Sequence, residues 1–244
     1  MRIMPRAVLL CSAVAGLLPS ALSAQVWVGS NFGGGVGGPR GNADGARAAY
    51  TAATGATLRT NLEGLAAGPV GGPTGIGGGI VASPDAFSSD NIVVGGNSGE
   101  LGYNTTFLGN TFYQHKSANF GPGQSSVTLS FAPVHSFGAY FTGLEWFYGV
   151  TTATWFDGSA MSHLLPDTGP DANGDAGIAF FGIETANAIT SITFTTVDNS
   201  GRRDFWGIDD IYLNEHAVAP EPSSMIMLAT GLIGVAALVR RRVR

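Results

Sequence analysis

Ser125-Ser126-Val127-Thr128-Leu129-Ser130-Phe131-Ala132-Pro133-Val134-His135-Ser136-Phe137-Gly138-Ala139-Tyr140-Phe141 is the stretch on which the fold of this chain turns. Val127, Leu129 and Phe131 alternate with Thr128 and Ser130, the period of two of a half-buried strand. Phe137, Ala139 and Phe141 resume the alternation after a break predicted at Pro133. Further strands are predicted over 152–156, 177–183, 189–197 and 205–213, separated by Asp, Asn, Gly and Pro clusters. Short strands at this spacing, with few helical signals, predict an all-β fold: an antiparallel, jelly-roll-like β-sandwich.

The half of the chain before this stretch reads differently. Gly33-Gly34-Gly35, Gly37-Gly38, Gly71-Gly72 and Gly77-Gly78-Gly79 punctuate it, and an alanine-rich segment over 43–54 predicts one short helix. Residues 33–41 lack the lysine and the strand–turn–helix setting of a phosphate-cradling loop, so they read as a flexible loop.

Both ends are addressed for export. Residues 1–6 carry two arginines, 7–18 are apolar, and Pro19-Ser20-Ala21-Leu22-Ser23-Ala24 supplies small residues for cleavage, the layout of a signal peptide over 1–24. Cys11 lies inside it, so the remaining chain has no cysteine and rests on its core or on bound ions. At the other end Pro220-Glu221-Pro222 precedes an uncharged segment, 223–239, and then Arg240-Arg241-Arg242-Val243-Arg244. As a helix, the uncharged segment spans roughly 25 Å, the lower limit for a bilayer core of about 30 Å. The arginines are expected to stay cytoplasmic, with everything before Pro220 on the outer side. The division is therefore 1–24 signal, 25–219 exported domain and 220–244 tail with a transmembrane helix over 223–239.

Setting the ends aside exposes the charge of the domain. Residues 25–219 hold six basic against sixteen acidic side chains, 6 − 16 = −10, where the whole chain carries −5. That balance excludes nucleic acid as a partner, which a basic patch would hold. It suits solubility outside the cell, divalent cations or neutral glycans.

The tail, with Pro220, Glu221, Pro222, Arg240, Arg241 and Arg242, resembles the PEP-CTERM sorting signal of bacterial proteins handled by exosortases. The same tail also goes by the name of ice-binding protein C-terminal domain, which is not evidence of ice binding. The resemblance covers roughly the last 25 residues. It implies a bacterial envelope, cleavage near residues 220–222 by an exosortase-type sorting protease, and an association with exopolysaccharide or biofilm matrix. Asn61-Leu62-Glu63-Gly64-Leu65, Pro133-Val134-His135-Ser136-Phe137-Gly138 and Phe205-Trp206-Gly207-Ile208-Asp209-Asp210-Ile211 carry a looser likeness to lectin-like, carbohydrate-binding jelly rolls. That likeness implies a fold more than an activity.

Candidate chemistry is sparse. In the last predicted strand Asp209 shares a face with Ile211 and Leu213, and Asp210 with Ile208 and Tyr212. One carboxylate must then point to the core unless the strand bulges, and a buried carboxylate needs a partner or an ion. This points to a structural calcium site using Asp209 or Asp210 with Glu63. The alternative is an edge strand with both acids solvated or paired with Arg202 or Arg203. Asp171-Ala172-Asn173-Gly174-Asp175 resembles the opening of a calcium loop. Ala176 stands where glycine is expected and Gly182 where the bidentate acid belongs, so it reads as a solvated turn.

No catalytic motif is visible. Ser98 in Gly96-Asn97-Ser98-Gly99-Glu100 misses the nucleophile-elbow spacing, and His115, His135, His163 and His216 are scattered. Trp146, Phe147, Tyr148, Trp155 and Phe156 read as core, with exposed sugar-stacking rings as the alternative. The sequence thus predicts a non-enzymatic surface or matrix protein, membrane-anchored before processing, with a structural or glycan-binding role and extracellular polysaccharide as a partner. A secreted glycan-active enzyme and an uncleaved single-span membrane protein are the alternatives.

Overall fold

The computed structural model describes residues 24–34, 37–94, 105, 111–116, 123–169, 177–199 and 204–215. The expected signal peptide with Cys11, the sorting tail with Pro220, Glu221, Pro222, Arg240, Arg241 and Arg242, and Ser98, 171–175, Arg202, Arg203 and His216 lie outside these residues. Among the described residues no helix is long and apolar enough to cross a membrane, and the segment 223–239 is not among them.

The described residues form twelve strands and one helix: β1 Gln25–Asn31, α1 Gly41–Thr54, β2 Thr57–Thr60, β3 Gly68–Val70, β4 Thr74–Gly75, β5 Val81–Pro84 and β6 Asp90–Val94, then β7 Thr111–Lys116, β8 Gln124–Thr142, β9 Gly149–Phe156, β10 Ala160–Leu164, β11 Ile178–Asp198 and β12 Phe205–Asn214. Pairing is antiparallel throughout. The sandwich expected from the alternation is therefore the fold, with the helix close to its predicted place.

Two strands are longer than the sequence pattern suggests. β8 runs through Pro133, and β11 joins the segments predicted separately over 177–183 and 189–197. Their shared register is Ile178–Glu184 against Thr142–Ser136, then breaks between Glu184, Ile189 and Ser191 before resuming. Pro133, exposed, sits at this corner, where its missing N–H costs no ladder bond. Thr185 Oγ1 donates to the His135 carbonyl at 3.2 Å and pins the corner.

The corner folds one hydrogen-bonded sheet into two layers. In one layer the first half of β11 pairs with β1 and the second half of β8 with β12, and β12 continues through β2 on one part and through β7, β6 and β3 on the other. In the other layer the second half of β11 pairs with β9, which carries β10, and the first half of β8 pairs with β5, which carries β4. Phe141 and Trp206 of the first layer meet Phe194 of the second, with ring centroids 5.0 and 6.0 Å from Phe194. Each such buried aromatic contributes about 1.5–3 kcal/mol of transfer free energy.

Helix α1 covers the outer face of the first layer. Asn31 Oδ1, at the end of β1, accepts from the amides of Asn42 and Ala43, so a neighbouring strand caps the helix in place of its own Arg40. At the far end Gly55 takes φ +67 and Asn214 of β12 donates to the Thr54 carbonyl. Between these clamps Tyr50 enters a slot made by two glycines paired across β8 and β11, Gly138 and Gly182. A Cβ on either would lie 2.7 Å from the Tyr50 ring.

Gly138→Ala and Gly182→Ala are expected to destabilise the chain by about 1–3 kcal/mol each through overpacking. Gly75→Ala, with open space around it, should stay within about 0.5 kcal/mol of the parent. Denaturant unfolding followed by tryptophan fluorescence measures all three.

Candidate functional site

Strand β12 is central, not an edge: its first half pairs with β7, its second with β2, and its other side with β8. The conflict posed by Asp209 and Asp210 is resolved by a bulge. Asp209 pairs with Tyr140 and Tyr212 with Gly138, so Asp210 and Ile211 together oppose Ala139, and Asp210 takes φ +47. Trp206, Ile208, Ile211 and Leu213 keep the core face, while both carboxylates reach Thr105.

Thr105 supplies two donors to this pair. Its amide lies 2.9 Å and its hydroxyl 2.8 Å from Asp209 Oδ2, and the hydroxyl lies 3.0 Å from Asp210 Oδ2. The Asp210 amide donates to Asp209 Oδ1 at 2.9 Å. One hydroxyl proton cannot serve two carboxylates at once, so the arrangement favours keeping one of the two carboxyls protonated. Burial, then the charge of Asp210, pushes the Asp209 carboxyl up to about 7. Burial also raises Asp210, with Thr105 and the Arg40 charge pulling it back and Glu63 pushing it up.

Glu63 acts on Asp210 through its charge, and its Oε2 accepts from the Thr111 amide at 3.3 Å. Among the described residues no three His, Cys, Asp or Glu side chains are grouped so as to hold a metal ion, Glu63, Asp209 and Asp210 included. Arg40 instead bridges toward the pair: it donates to the Thr105 carbonyl, pairs with Asp44 at 3.2 Å and stands 5.1 Å from the Tyr140 ring centre. Tyr140 in turn donates to Asp44 at 2.5 Å and accepts from Arg47 at 3.0 Å.

The sequence gives no hint of a second constellation, because its members come from three strands. His115 of β7 places Nδ1 3.0 Å from Asp90 Oδ2 of β6 and Nε2 3.0 Å from Ser125 Oγ of β8. Tyr113 donates to the same Asp90 oxygen at 2.5 Å, and the Lys116 amide to the other at 3.1 Å. The connectivity is that of a hydrolytic Ser–His–Asp triad. Each member, however, is at most 1% exposed, and the imidazole packs 4.8 Å from the Trp206 ring. Ser125 Oγ is buried with the other two, and the bonds tie β6 and β7 of one layer to β8 in the other.

The exposed chemistry lies in the turn between β8 and β9. Trp146 is 41% and Phe147 56% exposed, with Phe147 and Tyr148 edge-to-face at 5.2 Å. The core reading holds for Trp155 and fails for Trp146, Phe147 and Phe156. Phe156, 67% exposed, ends β9 roughly 23 Å from the turn at about 3.3 Å per residue, so the two do not form one surface.

The turn is held from several sides. The Tyr148 and Gly149 amides donate to the Glu145 carbonyl at 2.9 and 3.1 Å. The Trp146 indole N–H donates to the Leu165 carbonyl at 3.2 Å, and its amide to Asp167 Oδ1 at 3.3 Å. Asn199 reaches all three carbonyls: its side chain donates to those of Trp146 and Phe147 at 2.6 and 3.1 Å, and its amide to that of Tyr148 at 2.8 Å. Only distributed polar residues mark this rigidity, so the aromatic run alone could not separate platform from core.

The Asp209 carboxyl, raised from about 3.9 in the unfolded chain to about 7, binds its proton more tightly in the folded state. Its contribution is therefore present below pH 3.9 and lost as pH rises through 7. Between pH 4 and 8 the parent should lose about 2–4 kcal/mol of stability from this group, a loss absent in Asp209→Asn. His115→Ala should cost about 2–4 kcal/mol. The native chain should resist a fluorophosphonate probe, read by intact mass; a labelled Ser125 would show the triad to be accessible.

Comparison with known proteins adds the following. The family model of the PEP-CTERM protein-sorting motif matches residues 218–242. No curated protein matches the chain. Among solved structures, the MgGH51 α-L-arabinofuranosidase bound to arabinose is similar at 11% identity and a TM-score of 0.40. That likeness covers 78% of this chain and 31% of that one, so the chain spans about a third of its length. The K2 cleaved adhesin domain of Lys-gingipain is similar at 12% identity and a TM-score of 0.41, over 66% of this chain and 98% of that one. The family 11 carbohydrate-binding module of a Clostridium thermocellum cellulosomal cellulase is similar at 11% identity and a TM-score of 0.35, over 69% and 99%. Scores this low carry no argument about ligand. The chain carries a PEP-CTERM protein-sorting motif, the mark of an exported, envelope-associated protein processed by an exosortase.

Proposed function

We propose that the exported sandwich is a glycan-binding protein of the cell surface or matrix, with the Trp146-Phe147-Tyr148 turn as its sugar-stacking platform. The observation that carries this is an exposed indole and phenyl ring whose backbone is already fixed by Asn199, Glu145 and Asp167. Sugars offer C–H faces to aromatic rings, and a platform held before binding loses little conformational entropy when the ligand arrives. The Trp146 indole N–H is already committed to Leu165, so the ring offers its face rather than its donor. The acidic balance of residues 25–219 favours neutral over anionic glycans.

A glycan-active enzyme would need approachable acid and base groups. The paired aspartates and the Ser125–His115–Asp90 set are both buried. The platform reading therefore stands ahead of the enzymatic one.

Binding of the full chain to a panel of neutral and anionic polysaccharides, with product release assayed in parallel, tests the proposal. Trp146→Ala or Phe147→Ala should weaken binding about tenfold with the melting temperature retained. Released saccharide, or binding indifferent to both substitutions, would overturn it. For the sorting tail, intact-mass analysis in cells with the sorting protease should show a chain ending near residue 222. Without the protease it should end at Arg244; the same mass in both would leave an uncleaved single-span protein.

A further inference from the structure

Among the described residues most sheet edges are closed. β3 holds Pro69 within three residues, and β4 is two residues long. β2 carries Arg59, paired with Glu215, and β1 lends its Ser30 carbonyl to Asn42 of α1 at 3.1 Å. Short strands, proline, charge and a covering helix are the ordinary guards against pairing with another chain. β10, Ala160-Met161-Ser162-His163-Leu164, has none of them: among the described residues it pairs with β9 alone, on one side. It holds no proline, acid, lysine or arginine, and burial pulls the His163 imidazole below its ordinary range.

The register says which backbone groups face outward. The Leu165 amide donates to the Thr151 carbonyl at 2.9 Å and the Asp157 amide to the Ser159 carbonyl at 3.2 Å, both in line with the β9 pairing. Antiparallel pairs alternate between bonded and non-bonded. Met161 and His163 therefore bond to β9, while Ala160, Ser162 and Leu164 direct their N–H and C=O groups to the free edge. The side chains of these three lie on the exposed face, beside Phe156 of β9. Phe156 and Leu164 are 67% and 43% exposed, at opposite ends of the hairpin, and Ala160 stands opposite Phe156.

We infer that β10 is a self-pairing edge: a second copy of this chain joins it antiparallel, β10 to β10, about a two-fold axis at Ser162. In that register Ser162 faces the partner's Ser162 and Ala160 faces the partner's Leu164, each pair exchanging two N–H···O=C bonds. The small Ala160 side chain leaves room for the partner's Leu164 to meet Phe156 across it, so the two exposed apolar side chains of each copy become covered. Charge selects this edge as well. Residues 25–219 carry −10, so two copies repel wherever acids face each other, and β9 and β10 bring none. A joint of five residues is small, so the pairing is reversible rather than permanent. It holds whether or not the Trp146 turn binds sugar.

Sedimentation velocity of the full chain across the micromolar range tests the joint. The expected result is a monomer that passes into a dimer as concentration rises. Ser162→Pro removes an outward N–H and leaves the β9 ladder whole, so it should keep the chain monomeric with the melting temperature retained. Leu164→Glu, at an exposed position, should do the same, and stands in if the proline variant fails to fold. A wild-type monomer at every concentration would overturn the inference. So would association unchanged in both variants, which would assign it to another surface. Contact is read separately in a Cys11→Ser chain, which has no other thiol. Ser162→Cys there should give a covalent dimer under mild oxidation, because facing bonded residues lie about 5.5 Å apart, within disulfide reach. Gln124→Cys, exposed on β8 and away from β10, should not. Equal cross-linking of the two would contradict the two-fold contact.

Discussion

Two strands belong to both layers, and the rest of the molecule follows from that. β8 and β11 stay paired through a corner at Pro133 and Thr185, so the layers are joined by backbone hydrogen bonds as well as by packing. Their separation and angle are thereby restricted before any side chain meets. Phe141, Phe194 and Trp206 fill the space between. At one end of that core the apolar contacts give way to polar ties across the layers: His115 to Ser125, and the Trp206 indole to Thr196. With no cysteine in the described residues, such ties take the place that disulfides hold in many exported domains.

The same shared strands determine where charge can sit. Gly138 and Gly182 face each other on them, which admits Tyr50 and brings α1 flat onto the first layer. The helix then lays Arg40, Asp44 and Arg47 beside Tyr140, and Arg40 reaches the carbonyl of Thr105, whose amide and hydroxyl meet the aspartate pair. The bulge in β12 turns both aspartates away from the apolar face. The Asp209–Asp210 pair is thus buried on the helix side of the first layer. That pair makes acid a stabilising condition, in contrast to domains whose carboxylates are salt-bridged.

The alternation over 125–141 was enough to specify a sandwich, because half-buried strands must segregate their faces. Pro133 misled locally: a proline ends a central strand but is at home in a bulge, and no local signal separates those cases. The short strands of the first half were hidden because Gly68–Val70 and Thr74–Gly75 carry almost no apolar pattern and depend on their partners. Asp209 and Asp210 were legible as an anomaly, and the bulge was one of its permitted solutions. The Ser125–His115–Asp90 set was not, since its members meet only after the strand order is fixed. Trp146 and Trp155 look alike in sequence; Asn199, Asp167 and the turn between them decide that one is exposed and the other core.

Four tryptophans make the central claim directly measurable. Their indole N–H groups are reporters in distinct settings: Trp27 beneath α1, Trp155 and Trp206 in the core, and Trp146 on the turn. The decisive measurement is a proton–nitrogen correlation spectrum of the full chain titrated with a neutral oligosaccharide recovered from the polysaccharide panel. The account predicts saturable shifts of the Trp146 indole and of the 145–149 and Asn199 amides, with the Trp27, Trp155 and Trp206 indoles unmoved. Binding that leaves Trp146 unshifted, or that moves the core indoles instead, would contradict it.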